Sequence, residues 1–275
     1  MPLKTFTVQT GSARLVGLET GKGLPVVFLH AGVADKRLWA SQMEAVAAAG
    51  FRAVAYDRRG FGESESTDEP FSHLKDFEVV LAHLGVHAAV IVGASMGGAL
   101  AIDFTLEHPE RVVGLVLVGT ALSGAPEPEL PDEILPLIEA MEIAEDRGDI
   151  DMLNKVEAHA WLDGPMSRNG RVSGPVRDLF FAMNGTALAK PQLTQEEPPD
   201  AALDYLAGIT APVLLAVGSL DFPHVIARHD ELSDEFDNAF AIVIEGTAHL
   251  PSLERPDLFN SLLLEFLAAI TGAEA

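Results

Sequence analysis

The chain has 275 residues, and Lys+Arg 18 against Asp+Glu 41 give it a formal net charge of −23. That balance excludes nucleic acid as a partner, because phosphate backbones are held by basic side chains that displace counterions, and it disfavours an anionic membrane surface by the same sign. Apolar residues at 48% and charged ones at 21% suit a large packed core, while the absence of cysteine excludes disulfides, thiolate metal sites and a cysteine nucleophile.

Residues 1–7 carry no apolar signal-peptide core, which predicts a cytoplasmic protein. Short apolar runs then recur at residues 26–29, 53–56, 89–92, 115–118, 213–217 and 241–244. Continuous rather than alternating runs are what strands covered on both faces require. Helical apolar spacing at 39–49 and 99–108 lies between them, so the pattern predicts an α/β fold with a mostly parallel central sheet flanked by helices. Residues 85–102 contain no Asp, Glu, Lys or Arg and are long enough to suggest a membrane span. The Gly residues, Ser95 and His87 inside that stretch point instead to a strand, a tight turn and a helix in succession.

The rhythm breaks between Thr120 and Ile209, where no buried strand is evident. Pro and Glu crowd residues 125–131, helical patterns follow at 134–147 and 150–161, and Pro198-Pro199 mark the return. The expected organisation is a core of residues 1–120 and 209–275 interrupted by a helical cap insertion at 121–208. No internal repeat or low-complexity tract is visible.

The sharpest local signal is Gly93-Ala94-Ser95-Met96-Gly97-Gly98, which follows one strand and precedes a helix. A serine at the apex of such a turn is held in a strained backbone, and the residues two before and two after it must be tiny. This arrangement lifts the Ser95 hydroxyl clear of the sheet and points the Met96 amide and the helix N-terminus at a developing oxyanion. A serine needs a base, and the base an orienting acid. His249 in Gly246-Thr247-Ala248-His249 and Asp221 in Gly218-Ser219-Leu220-Asp221 each follow a predicted strand, where parallel sheets place their chemistry. His83, His87 and His108 fall on helix or turn positions that read as solvated surface.

On these motifs the chain resembles the α/β-hydrolase superfamily, in its branch of small serine hydrolases with a helical cap, over essentially its whole length. Further residues carrying the resemblance are Leu29-His30-Ala31-Gly32 with Trp39 beyond, the run from Tyr56-Asp57-Arg58-Arg59-Gly60 to Ser64, His108-Pro109-Glu110-Arg111, and Glu254-Arg255-Pro256 behind His249. The resemblance implies Ser95 as nucleophile, His249 as general base and then acid, and Asp221 as the residue fixing the histidine tautomer. It implies an oxyanion hole of backbone amides from Met96 and the His30 loop, with Gly32 aligning best and Val33 the alternative. Relatives often read His-Gly where this chain has His30-Ala31. By the same resemblance Asp57 belongs to a structural turn and His30 braces the oxyanion loop.

The insertion would form a lid whose inner face selects substrate. Trp161 stands as a pocket or core residue, Val33 as a substrate neighbour, and Leu135, Ile138, Phe180 and Met183 as further lining candidates. Haloalkane dehalogenases and epoxide hydrolases use a carboxylate where this chain has Ser95. The expected activity is therefore cleavage of a carboxylic ester or lactone of a small, largely apolar substrate through an acyl-enzyme, with no metal and no organic cofactor. The rivals are a carbon–carbon bond hydrolase of ring-cleavage products, a cofactor-free perhydrolase, and a ligand receptor that retains the triad. No sequence signal bears on oligomeric state. Residues 121–208 hold 6 Lys+Arg against 17 Asp+Glu, a net of −11, so a neutral or cationic ester is expected to enter more readily than an anionic one.

Overall fold

The computed structural model describes residues 2–272. Among these, eight strands form one sheet: β1 (Lys4–Thr10), β2 (Ala13–Gly21), β3 (Pro25–Leu29), β4 (Arg52–Tyr56), β5 (Ala89–Ala94), β6 (Val112–Val118), β7 (Val213–Gly218) and β8 (Ala239–Ile244). Their order is β1-β2-β4-β3-β5-β6-β7-β8. The pairs β1·β2 and β2·β4 are antiparallel, and every other pair is parallel.

The helices flank this sheet on both faces. Strand β5 shows the division: Ala89 and Ile91 pack with Phe77 and Val80 of α2 (His73–His83) and Phe104 of α3 (Met96–Glu107). Val90 and Val92 pack on the other side with Val46 of α1 (Ala40–Ala48) and with Phe259 and Leu263 of the last helix (Pro256–Thr271). A strand alternates its side chains between faces, so a run with apolar residues at every position must be covered twice, and all six residues of β5 are buried.

The chain leaves the sheet after β6 and returns at β7. Between them lie α4 (Leu135–Asp146), α5 (Ile150–Glu157), a π-helical turn (Ala158–Asp163), α6 (Pro175–Leu188) and a 3-10 stretch (Leu203–Gly208). Asp149 starts α5 by accepting a hydrogen bond from Met152 N at 3.0 Å, a side-chain cap for an otherwise unpaired amide. The π turn stops at Gly164, whose φ of +97 is open to glycine and where a Cβ would lie 2.3 Å from Leu220 O.

Two features differ from the expectations from sequence, and a third agrees with them. Strands β1 and β2 were not expected, because β1 is an edge strand with mostly exposed residues and shows no continuous apolar run. Helix α6 was not assigned, and of the lining candidates Phe180 and Met183 are fully buried core residues while Leu135 is 47% exposed. Residues 85–102 are β5, a turn and α3, and no helix among the described residues is long and apolar enough to cross a membrane.

Candidate active site

Ser95 joins β5 to α3 with φ 52 and ψ −119, the one positive φ at a non-glycine position among the described residues. Two close approaches impose this turn. A Cβ on Gly93 would lie 2.3 Å from Gly97 O, and one on Gly97 would lie 2.3 Å from Leu29 O. The backbone of Ser95 is tied on both sides, its N–H donating to Val118 O at 2.9 Å and its carbonyl accepting from Gly98 N at 2.8 Å. Helix α3 therefore starts at Met96 rather than near Ala99, a start that apolar spacing misses because the first turn is Met-Gly-Gly.

Asp221 follows β7 and His249 follows β8. The loops meet because Gly218 has no side chain: a Cβ there would lie 2.0 Å from Ala248 O. His249 Nδ1 lies 2.8 Å from Asp221 Oδ2, with both side chains buried. The other carboxylate oxygen accepts from Phe222 N at 2.7 Å. A carboxylate only accepts, so Nδ1 carries the proton and Nε2 is left as an acceptor. Gly119, directly after β6, backs this pair, and its neighbour Val118 is the residue that holds Ser95 N. The Ser95 hydroxyl is half-buried and makes no hydrogen bond to His249 among the described residues. Nucleophile–base contacts commonly shorten only when substrate is bound.

The amides of Gly32, Val33 and Met96 carry no hydrogen bond among the described residues. The loop before them is braced by His30, which is fully buried: Nδ1 donates to Ala31 O at 2.8 Å and Nε2 accepts from Arg58 N at 3.1 Å. Burial, reinforced by the Arg58 charge, pushes its pKa well below the usual histidine value, so it stays a neutral strut. Asp57 is saturated, accepting from Lys36 N, Lys36 Nζ and Glu63 N at 2.8, 2.6 and 2.7 Å.

Gly32, Val33 and Met96 form one wall of a cavity of about 620 Å³, closed by Ala144, Ile150, Leu153, Asn184 and Leu188 of the segment between β6 and β7. Trp161 does not line this cavity. It packs on His249 with ring centroids 4.7 Å apart and on Phe222 at 4.5 Å. Its carbonyl accepts from His249 N at 3.2 Å.

Three residues at this centre escaped the sequence reading. Gly119 could have been found as another residue just past a parallel strand. Glu254 was seen only as part of a motif, and Arg171 left no signal, since three of its partners are backbone carbonyls and the fourth, Glu254, lies 83 residues away. Elsewhere, Glu78, Glu107 and His108 place ligand atoms within 4.8 Å of one another, at the end of α3 opposite Ser95. Glu78 and Glu107 also line a cavity of about 1050 Å³ against residues 197–208.

A sequence profile of the alpha/beta hydrolase fold matches residues 25–256. The chain belongs to the α/β-hydrolase family. This hydrolase is 26% identical over 284 residues to 2-hydroxy-6-oxo-6-(2'-aminophenyl)hexa-2,4-dienoic acid hydrolase of Metapseudomonas resinovorans, covering 98% of this chain and 93% of that one. Its fold is similar to that of a thermophilic esterase from Thermogutta terrifontis, with a TM-score of 0.76, 24% identity and coverage of 97% and 99% of the two chains. It is also similar to Est816, described as an N-acyl homoserine lactone degrading enzyme, with a TM-score of 0.73, 25% identity and coverage of 94% and 99%.

Proposed function

We propose that this hydrolase cleaves a carboxylic ester or lactone through an acyl-enzyme formed on Ser95. The observation that carries the reading is the buried Asp221–His249 hydrogen bond at 2.8 Å, together with the strained turn that holds Ser95 at the end of β5. As Ser95 Oγ bonds to the substrate carbonyl carbon, His249 Nε2 takes the hydroxyl proton, and it returns that proton to the departing alkoxide. Water then repeats the sequence, losing a proton to His249 as the Ser95 ester is cleaved. Asp221 holds the ring in the tautomer this needs. Met96 N and either Gly32 N or Val33 N are the donors for the oxyanion, a role supported by their lack of any other partner. Residues 121–208 act as the cap, with Val33 beside the substrate and Trp161 shielding His249. The sequence of events requires no metal or organic cofactor.

The Metapseudomonas relative, named as the hydrolase of a 2-hydroxy-6-oxo-hexadienoic acid, favours a second reading in which the same residues cleave a carbon–carbon bond of a vinylogous diketone. A panel of p-nitrophenyl esters, lactones and vinylogous diketones assayed with wild type and Ser95→Ala separates the two. Ester or lactone turnover that disappears in Ser95→Ala is expected, together with a burst of p-nitrophenol. Undiminished ester hydrolysis in that variant overturns the assignment. A wild-type protein that binds these compounds without turnover points to a receptor.

A further inference from the structure

We propose that Arg171 is a positioning residue for His249, holding the π-helical turn and the 246–249 loop together as one unit; this rests on the assignment of His249 as the proton-transferring group. Arg171 lies between the π turn and α6. Its Nε donates to Asp163 O at 2.7 Å and its Nη2 to Leu162 O at 2.7 Å, which satisfies carbonyls at the end of the turn. From the same guanidinium, Nη1 donates to Gly246 O at 2.8 Å and Nη2 pairs with Glu254 Oε2. Glu254 completes the link, its Oε1 accepting from Ala248 N at 2.7 Å. With His249 N bonded to Trp161 O, the loop is fastened to the π turn both at Gly246 and at the histidine itself.

Only a planar fork with several fixed donors can reach three carbonyls and a carboxylate at once. Glu254, 4% exposed in its side chain, has Arg171 as its one cationic partner among the described residues. Burial, with a smaller contribution from the Asp221 charge, outweighs the opposing pull of Arg171 and the Ala248 amide and leaves the Glu254 carboxyl raised to about 7. Without Arg171 the carboxylate would face burial and Asp221 with only the amide in compensation. Its pKa would then rise further, and the neutral form would hold the Ala248 amide without charge assistance.

The test is backbone amide hydrogen exchange by NMR together with steady-state kinetics, on wild type, Arg171→Met and Arg171→Lys. Arg171→Met is expected to speed exchange at Ala248 and His249 by about tenfold or more while Ile91 and Val92 in β5 stay as protected as in wild type. With p-nitrophenyl acetate, kcat is expected to fall roughly 10- to 100-fold and KM to stay within about threefold, the mark of a misplaced group rather than a lost binding contact. Arg171→Lys, which keeps the charge without the fork, should fall between the two, and it carries the comparison if Arg171→Met does not fold. Unchanged exchange at Ala248 and His249 in a folded variant overturns the proposal, as does a rise in KM at constant kcat. The exchange measurement does not depend on turnover, so it decides the role of Arg171 even if the ester reading fails. Loss of Ser95-dependent turnover in wild type would count against that reading alone.

Discussion

Gly119 lies against the His249 ring with no room for a side chain between them: a Cβ on Gly119 would sit 3.1 Å from His249 Nδ1 and 3.1 Å from Asp221 Oδ2. Gly119 also has φ +49, a conformation that costs an L-residue about 1–2 kcal/mol. Gly119→Ala is expected to fold, to lose about 1 kcal/mol in urea unfolding, and to lower kcat/KM roughly 10- to 100-fold by displacing the ring. Wild-type kinetics in a folded variant would show that the Asp–His pair tolerates displacement.

Strain at Ser95 gives a second expectation. Removing its Cβ removes the steric cost of φ 52, and such outliers are worth about 1–3 kcal/mol. Ser95→Gly should therefore unfold at a higher urea midpoint than Ser95→Ala, which keeps the Cβ, and both should be inactive. Equal midpoints would mean that the turn carries no stored strain.

Asp103 on α3 has one carboxylate oxygen held by Ser123 Oγ at 2.8 Å and the other unpaired and buried. Burial pushes its pKa up to about 6, against the opposing hydrogen bond from Ser123. A raised carboxyl binds its proton more tightly folded than unfolded, so its contribution to stability is full below the unfolded value near 4 and is lost as pH rises through about 6. Asp103→Asn should raise Tm at pH 8, and the gain should vanish by pH 4. A pH-independent Tm difference would place the effect in packing instead.

Asp163 is the buried anchor of the π turn. It accepts from Gly170 N at 2.7 Å and Val172 N at 2.9 Å, and it pairs with Arg177 at 2.9 Å. Burial pushes its carboxyl up, but Arg177 and the two amides outweigh this and hold it below the usual range. Its stabilisation is therefore present above the unfolded value and drains away as pH falls. Asp163→Ala should cost about 3–5 kcal/mol at pH 7, because Arg177 is left without its partner. Urea unfolding at pH 7 and pH 3 should show a smaller difference at the lower pH.

The cavity beside Gly32 and Met96 is lined by Glu145, Glu157 and Glu196 as well as Arg59 and Lys190. Arg59 is committed to Asp76 and Glu69, and Lys190 Nζ donates to Ser64 O at 2.6 Å. Methyl pentanoate should therefore be hydrolysed with about tenfold higher kcat/KM than monomethyl glutarate, as followed by pH-stat. A preference for the glutarate would assign Lys190 to substrate instead of Ser64.

The central parallel strands and the positions of Ser95, Asp221 and His249 were legible because each depends on local chain geometry. A strand buried on both faces shows as an unbroken apolar run, and a tight strand-to-helix turn shows as small residues at fixed offsets. Strands β1 and β2 were not legible, since half-exposed alternation carries threonine and charge as readily as a loop does. Arg171 was invisible for a different reason. Its partners Leu162, Asp163 and Gly246 are bonded through carbonyls, which every residue possesses, so no side-chain pattern marks them.

The His249 amide ends on the carbonyl of Trp161, so the middle of the segment between β6 and β7 is bonded to the candidate chemistry, while Ala144 of α4 and Ile150 and Leu153 of α5 supply cavity wall. The segment thus offers two separate territories to laboratory evolution. Variation along the cavity-lining stretch 144–153 changes what fits without replacing a residue bonded to the histidine loop, whereas variation along 158–174 changes how the loop is seated. A library confined to the first stretch would explore new substrates on an unaltered engine.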